Sequence, residues 1–201
     1  MVIEEQNARF LIDPGSYSVQ TDQVHTIDAI LITHEHQDHL DMNLLAAILK
    51  DNPAAFIYTN KGVGKKLSER GIQFTLLEHG QKAAIKGVMV EGFGTTHHLV
   101  YQGFPQADNV GYMIANRFFY PGDALTDPGK KVEILAAPIA GPWLLMADGI
   151  DYVKKLKPVH AFNVHDGSLL SHTSHSRWFG DILKLEGINF FTTEVGVSFE
   201  V

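Results

Sequence analysis

Four times along this chain, a short apolar run of the kind that builds strands stops at a histidine or an aspartate. Ala29 to Thr33 runs into His34-Glu35-His36-Gln37-Asp38-His39, and Val88 to Phe93 into Gly94-Thr95-Thr96-His97-His98. Phe118 to Tyr120 leads to Pro121-Gly122-Asp123, and Ala161 to Val164 to His165-Asp166-Gly167. Loops just past strand ends are where a rigid scaffold presents working side chains. Each loop alone reads as a turn or a satisfied polar group, and the repetition is what carries weight.

The first loop is the densest, with three histidines and two aspartates between Ile32 and Asp41. Residues two apart on an extended segment project to the same side, so His34 and His36 can grip one ion together. A turn beginning at Asp38 redirects Asp38 and His39 toward a second ion beside the first. Imidazole and carboxylate suit zinc, iron or manganese. The plain alternative is a polar surface loop, which the density after a buried strand disfavours. The chain has no cysteine, so thiolate ligands and disulfides are impossible and any metal is held by nitrogen and oxygen.

The rest of the chain alternates strand and helix. Strands are expected at Val2 to Glu4, Arg9 to Ile12 (stopped by Asp13-Pro14-Gly15), Ala54 to Tyr58, Gln73 to Leu77 and Ile134 to Ala137. Val110 to Ala115 and Arg117 to Tyr120 read as a hairpin around Asn116, and Phe190 to Thr193 and Val197 to Val201 as closing strands. Helical spacing marks Met42 to Lys50, a segment closing at Gly71, Met146 to Leu156 and Arg177 to Leu185. No linker or charge block divides the chain, so 1–201 is expected to be a single domain of the α/β class. Its 201 residues carry a net charge of −7, which disfavours a phosphate-backbone binder, so no nucleic-acid partner is expected. The start of the chain has no leader-like segment and no run reaches membrane-spanning length, so the expectation is a cytoplasmic protein without a membrane partner.

His34-x-His36-x-Asp38-His39, with His97, Asp123 and His165, resembles the metallo-β-lactamase-fold hydrolases, over nearly the whole chain. The resemblance implies a four-layer αβ/βα sandwich with the site at the edge between two sheets. It also implies two divalent metal ions, most simply zinc, with manganese or iron as alternatives. His34, His36 and His97 would hold the first, and Asp38, His39 and His165 the second. Asp123 would bridge them, and Asp13 would support the site without binding metal. Asp38 and Asp123 are the expected catalytic carboxylates, and a hydroxide shared by ions ~3.5–4 Å apart the nucleophile.

Residue identity narrows the branch. Thiolate-dependent β-lactamases need a cysteine, flavodiiron proteins typically carry Glu where His36 stands, and nucleic-acid-processing branches need an insertion absent here. The chain looks most like the compact branch that includes ascorbate-6-phosphate lactonase-like proteins, by Leu40-Asp41 and Pro138-Ile139-Ala140-Gly141. It departs from that branch in lacking the usual first strand with its Gly-His pair. The implied activity is hydrolysis of a small, anionic lactone or phosphoester; the alternative is a non-catalytic metal-binding scaffold that keeps the fold. His172 and His175 are candidate proton donors or caps of a helix beginning near Arg177. Tyr101, Phe104 and Trp143 are expected to border the cleft. His25, His79 and His160 are assigned to surface or packing roles, and of the adjacent pair only His97 is expected to bind metal, not His98.

Overall fold

The computed structural model describes residues 1–17, 24–171 and 173–201. Two sheets face each other. The first has the order β1-β2-β3-β4-β5, built from Val2–Glu5, Ala8–Ile12, Ala29–Leu31, Phe56–Thr59 and Thr75–Leu76. The second runs β12-β11-β10-β9-β8-β7-β6. It comprises β6 (Lys82–Ile85), β7 (Val88–Phe93), β8 (Gly111–Ile114), β9 (Phe118–Tyr120), β10 (Ile134–Pro138), β11 (His160–Val164) and β12 (Asn189–Phe191). Helices α1 (Met42–Asp51) and α2 (Lys61–Glu69) pack on the first sheet, and α3 (Met146–Leu156) and α4 (Thr173–Leu185) on the second. This is the expected four-layer arrangement.

The period-two rule of the strands builds the layers. In β3 and the residue after it, Ala29 and Leu31 enter the core between the sheets, whereas Ile30 and Ile32 enter the core beneath α1 and α2. In the other sheet Tyr112, Ile114, Phe118, Tyr120, Ile134 and Ala136 face inward, and Met113, Phe119, Leu135 and Ala137 face α3 and α4. Both faces of these strands are buried, which is why they read as unbroken apolar runs.

Strand direction then places the loops. β2 to β5 run parallel, as do β9 to β12. β8 is antiparallel to both β7 and β9, so β7 runs in the same sense as β9. The loops after β7, β9, β10 and β11 therefore leave at one edge of the second sheet. At that edge the sheets are joined by hydrogen bonds from Val110 N–H to Thr33 O (3.0 Å) and from the Tyr112 hydroxyl to Ile32 O (3.0 Å).

Four expectations need correction. β6 was not anticipated, because Lys-Ala-Ala-Ile carries little strand signal; it pairs with β7 across the Lys86-Gly87 turn at the sheet edge. Val197 to Val201 is not a strand: the segment is irregular, although Phe199 packs on Phe162 and Phe191 (ring centroids 5.1 and 4.9 Å). α4 begins at Thr173, so His175 lies inside the helix instead of capping it. Gln73 to Leu77 shrinks to the two residues of β5. Among the described residues no helix is long and apolar enough to cross a membrane.

Candidate metal centre

The segment after β3 turns back on itself at once, with His39 and Leu40 N–H both donating to His36 O (3.0 and 2.8 Å). It ends at Asp41, whose carboxylate caps α1 by accepting from Asn43 and Leu44 N–H. The short loop after β2 presses against it: a Cβ on Gly15 would lie 1.6 Å from Asp38 O, so only glycine allows this approach. Asp13, at φ +47°, aims its side chain at the same segment. Its carboxylate accepts from Thr33 N–H (2.8 Å), the Thr33 hydroxyl (2.7 Å) and His39 Nδ1–H (2.7 Å).

The second sheet supplies the other half. Asn109, fully buried, accepts from Asp123 N–H (3.1 Å) and donates to Pro121 O (2.9 Å), fixing the Pro121-Gly122-Asp123 turn. Gly122 has φ +64°, and a Cβ there would meet Asn109 Oδ1 at 2.4 Å and Thr33 Cβ at 2.8 Å. His97 is tied by its backbone N–H to Ala107 O (3.0 Å) and by Nδ1–H to His98 O (2.5 Å). His165, at φ +60°, donates from Nδ1–H to Ala140 O (2.7 Å).

With Nδ1 engaged on a protein oxygen, the Nε2 of each of these rings is free to point at Asp123. That carboxylate is 2% exposed. Its Oδ1 lies 3.1 Å from His39 Nε2, and its Oδ2 lies 3.0 Å from His165 Nε2, 3.3 Å from His97 Nε2 and 3.9 Å from His34 Nε2. His34 Nε2 also lies 3.1 Å from His36 Nδ1, and Asp38 Oδ2 is 3.4 Å from His165 Nε2. All seven candidates from the sequence therefore come together, in two groups sharing Asp123. His34, His36, His97 and Asp123 form one, and Asp38, His39, Asp123 and His165 the other, each with its donor atoms within 4.8 Å of one another.

Such a donor set fits a divalent cation. Nitrogen and carboxylate oxygen are the ligand types that zinc, manganese and iron accept. His97 Nε2, His165 Nε2 and Asp123 Oδ1 are buried and close to one another's residues or to His39, yet none makes a well-aligned hydrogen bond, an expensive arrangement unless a ligand answers them. Charge points the same way. Burial opposes charge on His39, but the Asp13 and Asp123 carboxylates outweigh it and raise its pKa to about 10. His165 is likewise raised to about 10, against burial, by Asp123 and Asp38. Burial would also raise the Asp123 pKa, yet His165 and His39 hold it well below the usual carboxylate range. Burial drives His34 well below the ordinary imidazole value, with His39 adding to the effect.

The chain belongs to the beta-lactamase superfamily. The family model described as Beta-lactamase superfamily domain matches residues 1–165, which include all seven candidate ligands. Protein Rv0786c of Mycobacterium tuberculosis is 29% identical over 195 residues, covering 94% of this chain and 90% of that one. A UPF0173 metal-dependent hydrolase of Thermoplasma acidophilum is 26% identical over 168 residues, covering 78% and 72%. Among solved structures, the metallo-beta-lactamase fold protein YhfI of Bacillus subtilis superposes with a TM-score of 0.72 at 11% identity, over 99% of this chain and 90% of that one. That likeness is one of fold.

Two supports of this superfamily site were not foreseen. Asn109 precedes β8 in Ala-Asp-Asn-Val, where it looks like any turn residue. Trp143 was expected at the cleft border, but it is buried, and its indole Nε1–H donates to Asp123 Oδ2 at 2.7 Å. Its ring lies 5.8 Å from those of both His97 and His165. Tyr101 and Phe104 are exposed, on the loop that follows His97. His25, His79, His98, His160 and His175 belong to neither group. His79 Nδ1 accepts from Gly94 N–H (3.1 Å), and His98 packs on the Trp143 ring (5.5 Å). His172 lies outside the described residues.

Proposed function

We propose that this chain, a metal-dependent hydrolase of the beta-lactamase superfamily, cleaves a small lactone or phosphoester with two divalent ions, zinc suiting the ligands best. Residues 1–201 would act as one catalytic domain. His34, His36 and His97 would hold one ion, and Asp38, His39 and His165 the other, with Asp123 between them. The observation that carries this reading is the shared, buried Asp123 carboxylate, with histidine nitrogens converging on both of its oxygens.

Bound divalent ions make a water a nucleophile near neutral pH and polarise the group it attacks. The chain's own residues do the rest. Asp13, His98 O and Ala140 O hold the protons of His39, His97 and His165 at Nδ1, so that Nε2 is the nitrogen left to face a cation. Trp143 and Asn109 fix Asp123. Asp38 is the more exposed carboxylate of the pair, so it would face both a bound ion and the incoming substrate.

Metal analysis combined with a hydrolysis screen over lactones, phosphodiesters and phosphomonoesters tests the proposal. Two equivalents of metal with chelator-sensitive turnover are expected, with little activity on RNA or β-lactams. Metal without turnover on any of them would favour the non-catalytic scaffold, and efficient degradation of structured RNA would overturn the small-substrate reading.

A further inference from the structure

The loops that surround the metal centre are unusual in what they lack. Residues 13–17, 34–41, 94–108, 121–128, 138–146 and 165–171 contain not one Lys or Arg. Of the cations near them, Lys82 and Lys130 pair with Glu91 (3.8 and 2.5 Å) and Arg177 with Asp181 (3.5 Å), whereas Lys66, on α2, is tied to the 34–41 loop at Glu35 O (2.8 Å). Beside exposed uncharged polar residues such as Gln37, Gln102 and Gln106, these loops present large apolar side chains to solvent: Tyr17, Leu99, Tyr101, Phe104, Leu145 and Leu170 are all exposed, Tyr101 and Leu145 at 75% and 70%.

The loops form one rim. Ser16 N–H donates to Gln37 O (2.9 Å), and Asp41 N–H to Pro14 O (3.0 Å). A Cβ on Gly167 would touch the Tyr17 side chain at 3.0 Å, and Trp143 joins the 138–146 loop to His98 and His165. The 98–106 segment is rooted at the site: its base is closed by His97 N–H to Ala107 O (3.0 Å) and Gln106 Nε2 to His97 O (2.9 Å). Exposed apolar side chains gathered around a polar centre mark a surface that takes an apolar partner.

We infer that this cleft recognises neutral acyl compounds with an apolar body, namely carboxylic esters or lactones bearing an aliphatic or aromatic chain. The inference rests on the hydrolase reading and narrows it, replacing the anionic substrate expected from the sequence. The distal charge of a carboxylated substrate would meet loops that carry no Lys or Arg of their own, whereas an alkyl or aryl chain would cover Tyr101, Phe104 and Leu145. The reaction needs only water. The acyl carbon gains the water oxygen, the acyl C–O bond breaks, and the alkoxy oxygen takes the proton, leaving a carboxylic acid and an alcohol.

The test uses metal-loaded protein in two assays. The first compares kcat/KM for p-nitrophenyl esters of two to eight carbons, the same esters ending in a carboxylate, and p-nitrophenyl phosphate. The second measures by calorimetry the binding of alkyl hydroxamates of matching length. Both are repeated with the double variant Tyr101→Ser, Phe104→Ser, whose positions are exposed and outside the metal centre. Expected are a rise of about twofold or more per CH2 in both assays, against the roughly fourfold of full burial. A penalty of about tenfold or more is expected for the terminal carboxylate, and the length dependence should flatten in the variant. Preference for p-nitrophenyl phosphate or the carboxylated esters, or no dependence on length in either assay, would overturn the inference. Hydroxamate binding that strengthens with length, without turnover of any ester, would support the apolar recognition and sink the hydrolase reading instead. Flat binding together with a dimer that the double variant dissociates would assign the rim to self-association and overturn the inference.

Discussion

Replacing Trp143 with Phe should weaken the centre without emptying the space around it. Phe keeps an aromatic ring beside His97 and His165 but removes the Nε1–H that Asp123 Oδ2 accepts at 2.7 Å. That length is in the range of charge-assisted hydrogen bonds. A hydrogen bond to a charged group contributes about 1.5–3 kcal/mol, and the carboxylate left behind is too buried to recruit water cheaply. The metal-free variant should therefore lose about 1.5–3 kcal/mol in urea unfolding. For a chain of this size each kcal/mol corresponds to roughly 2–4 °C in Tm. Metal affinity, read by competition with a chromogenic chelator, should fall by about 10–100-fold, as when a residue that orients a ligand is removed. Trp143→Ala should cost more, through the lost ring contacts. Wild-type stability together with wild-type metal affinity in Trp143→Phe would refute the argument that the indole holds Asp123.

Asp123→Ala should lower metal content and activity together, since both ligand groups share this carboxylate; full stoichiometry by elemental analysis would remove its bridging role. His97→Ala should lose metal and His98→Ala should keep it, because His97 faces Asp123 whereas His98 packs on Trp143; the reverse would show that the two rings exchange roles. Metal uptake at pH 8 should release about two protons per chain, one each from His39 and His165, whose pKa values near 10 keep them charged until a metal displaces the proton. An indicator dye in weak buffer reads this directly, and uptake without release would refute it. The sign for stability follows. Pairing of His39 with Asp13 and Asp123 stabilises the metal-free fold fully below the unfolded-state value near 6.5, and that contribution is lost as pH rises through about 10. Metal-free protein should thus unfold at lower urea at pH 10 than at pH 8.

The candidate ligands were legible because they are chemically rare and sit at strand ends, where the backbone itself dictates their common edge. Buried strands such as Ala29–Leu31 and Ile134–Pro138 were legible for a related reason, since both of their faces meet apolar layers. What stayed hidden is context that only packing supplies. Lys82–Ile85 is a strand because β7 offers it an edge, not because its residues favour one. Asn109 gains its role from Pro121 and Asp123, brought from 12 and 14 residues away, and Trp143 from Asp123, brought from 20. Val197 to Val201 alternates apolar and polar residues as a strand would, yet Phe199, still exposed in part, packs on Phe162 and Phe191 without strand pairing.

The division of the candidate ligands between the sheets has a consequence for folding as well as for chemistry. His34, His36, Asp38 and His39 all follow β3 of the first sheet, whereas His97, Asp123 and His165 follow β7, β9 and β11 of the second. Each ligand group therefore takes members from both sheets. Without a cation, the two halves meet through His–Asp ion pairs, two of them with imidazoles held charged against burial. A bound divalent ion would close the same edge through both sheets at once, and anything that binds only the folded chain stabilises it by mass action. The apolar layer beneath, with Phe10, Ile12, Tyr112 and Tyr120 between the sheets, holds the halves in register. The fold makes the site, and a cation bound there would in turn tie both sheets together at that edge.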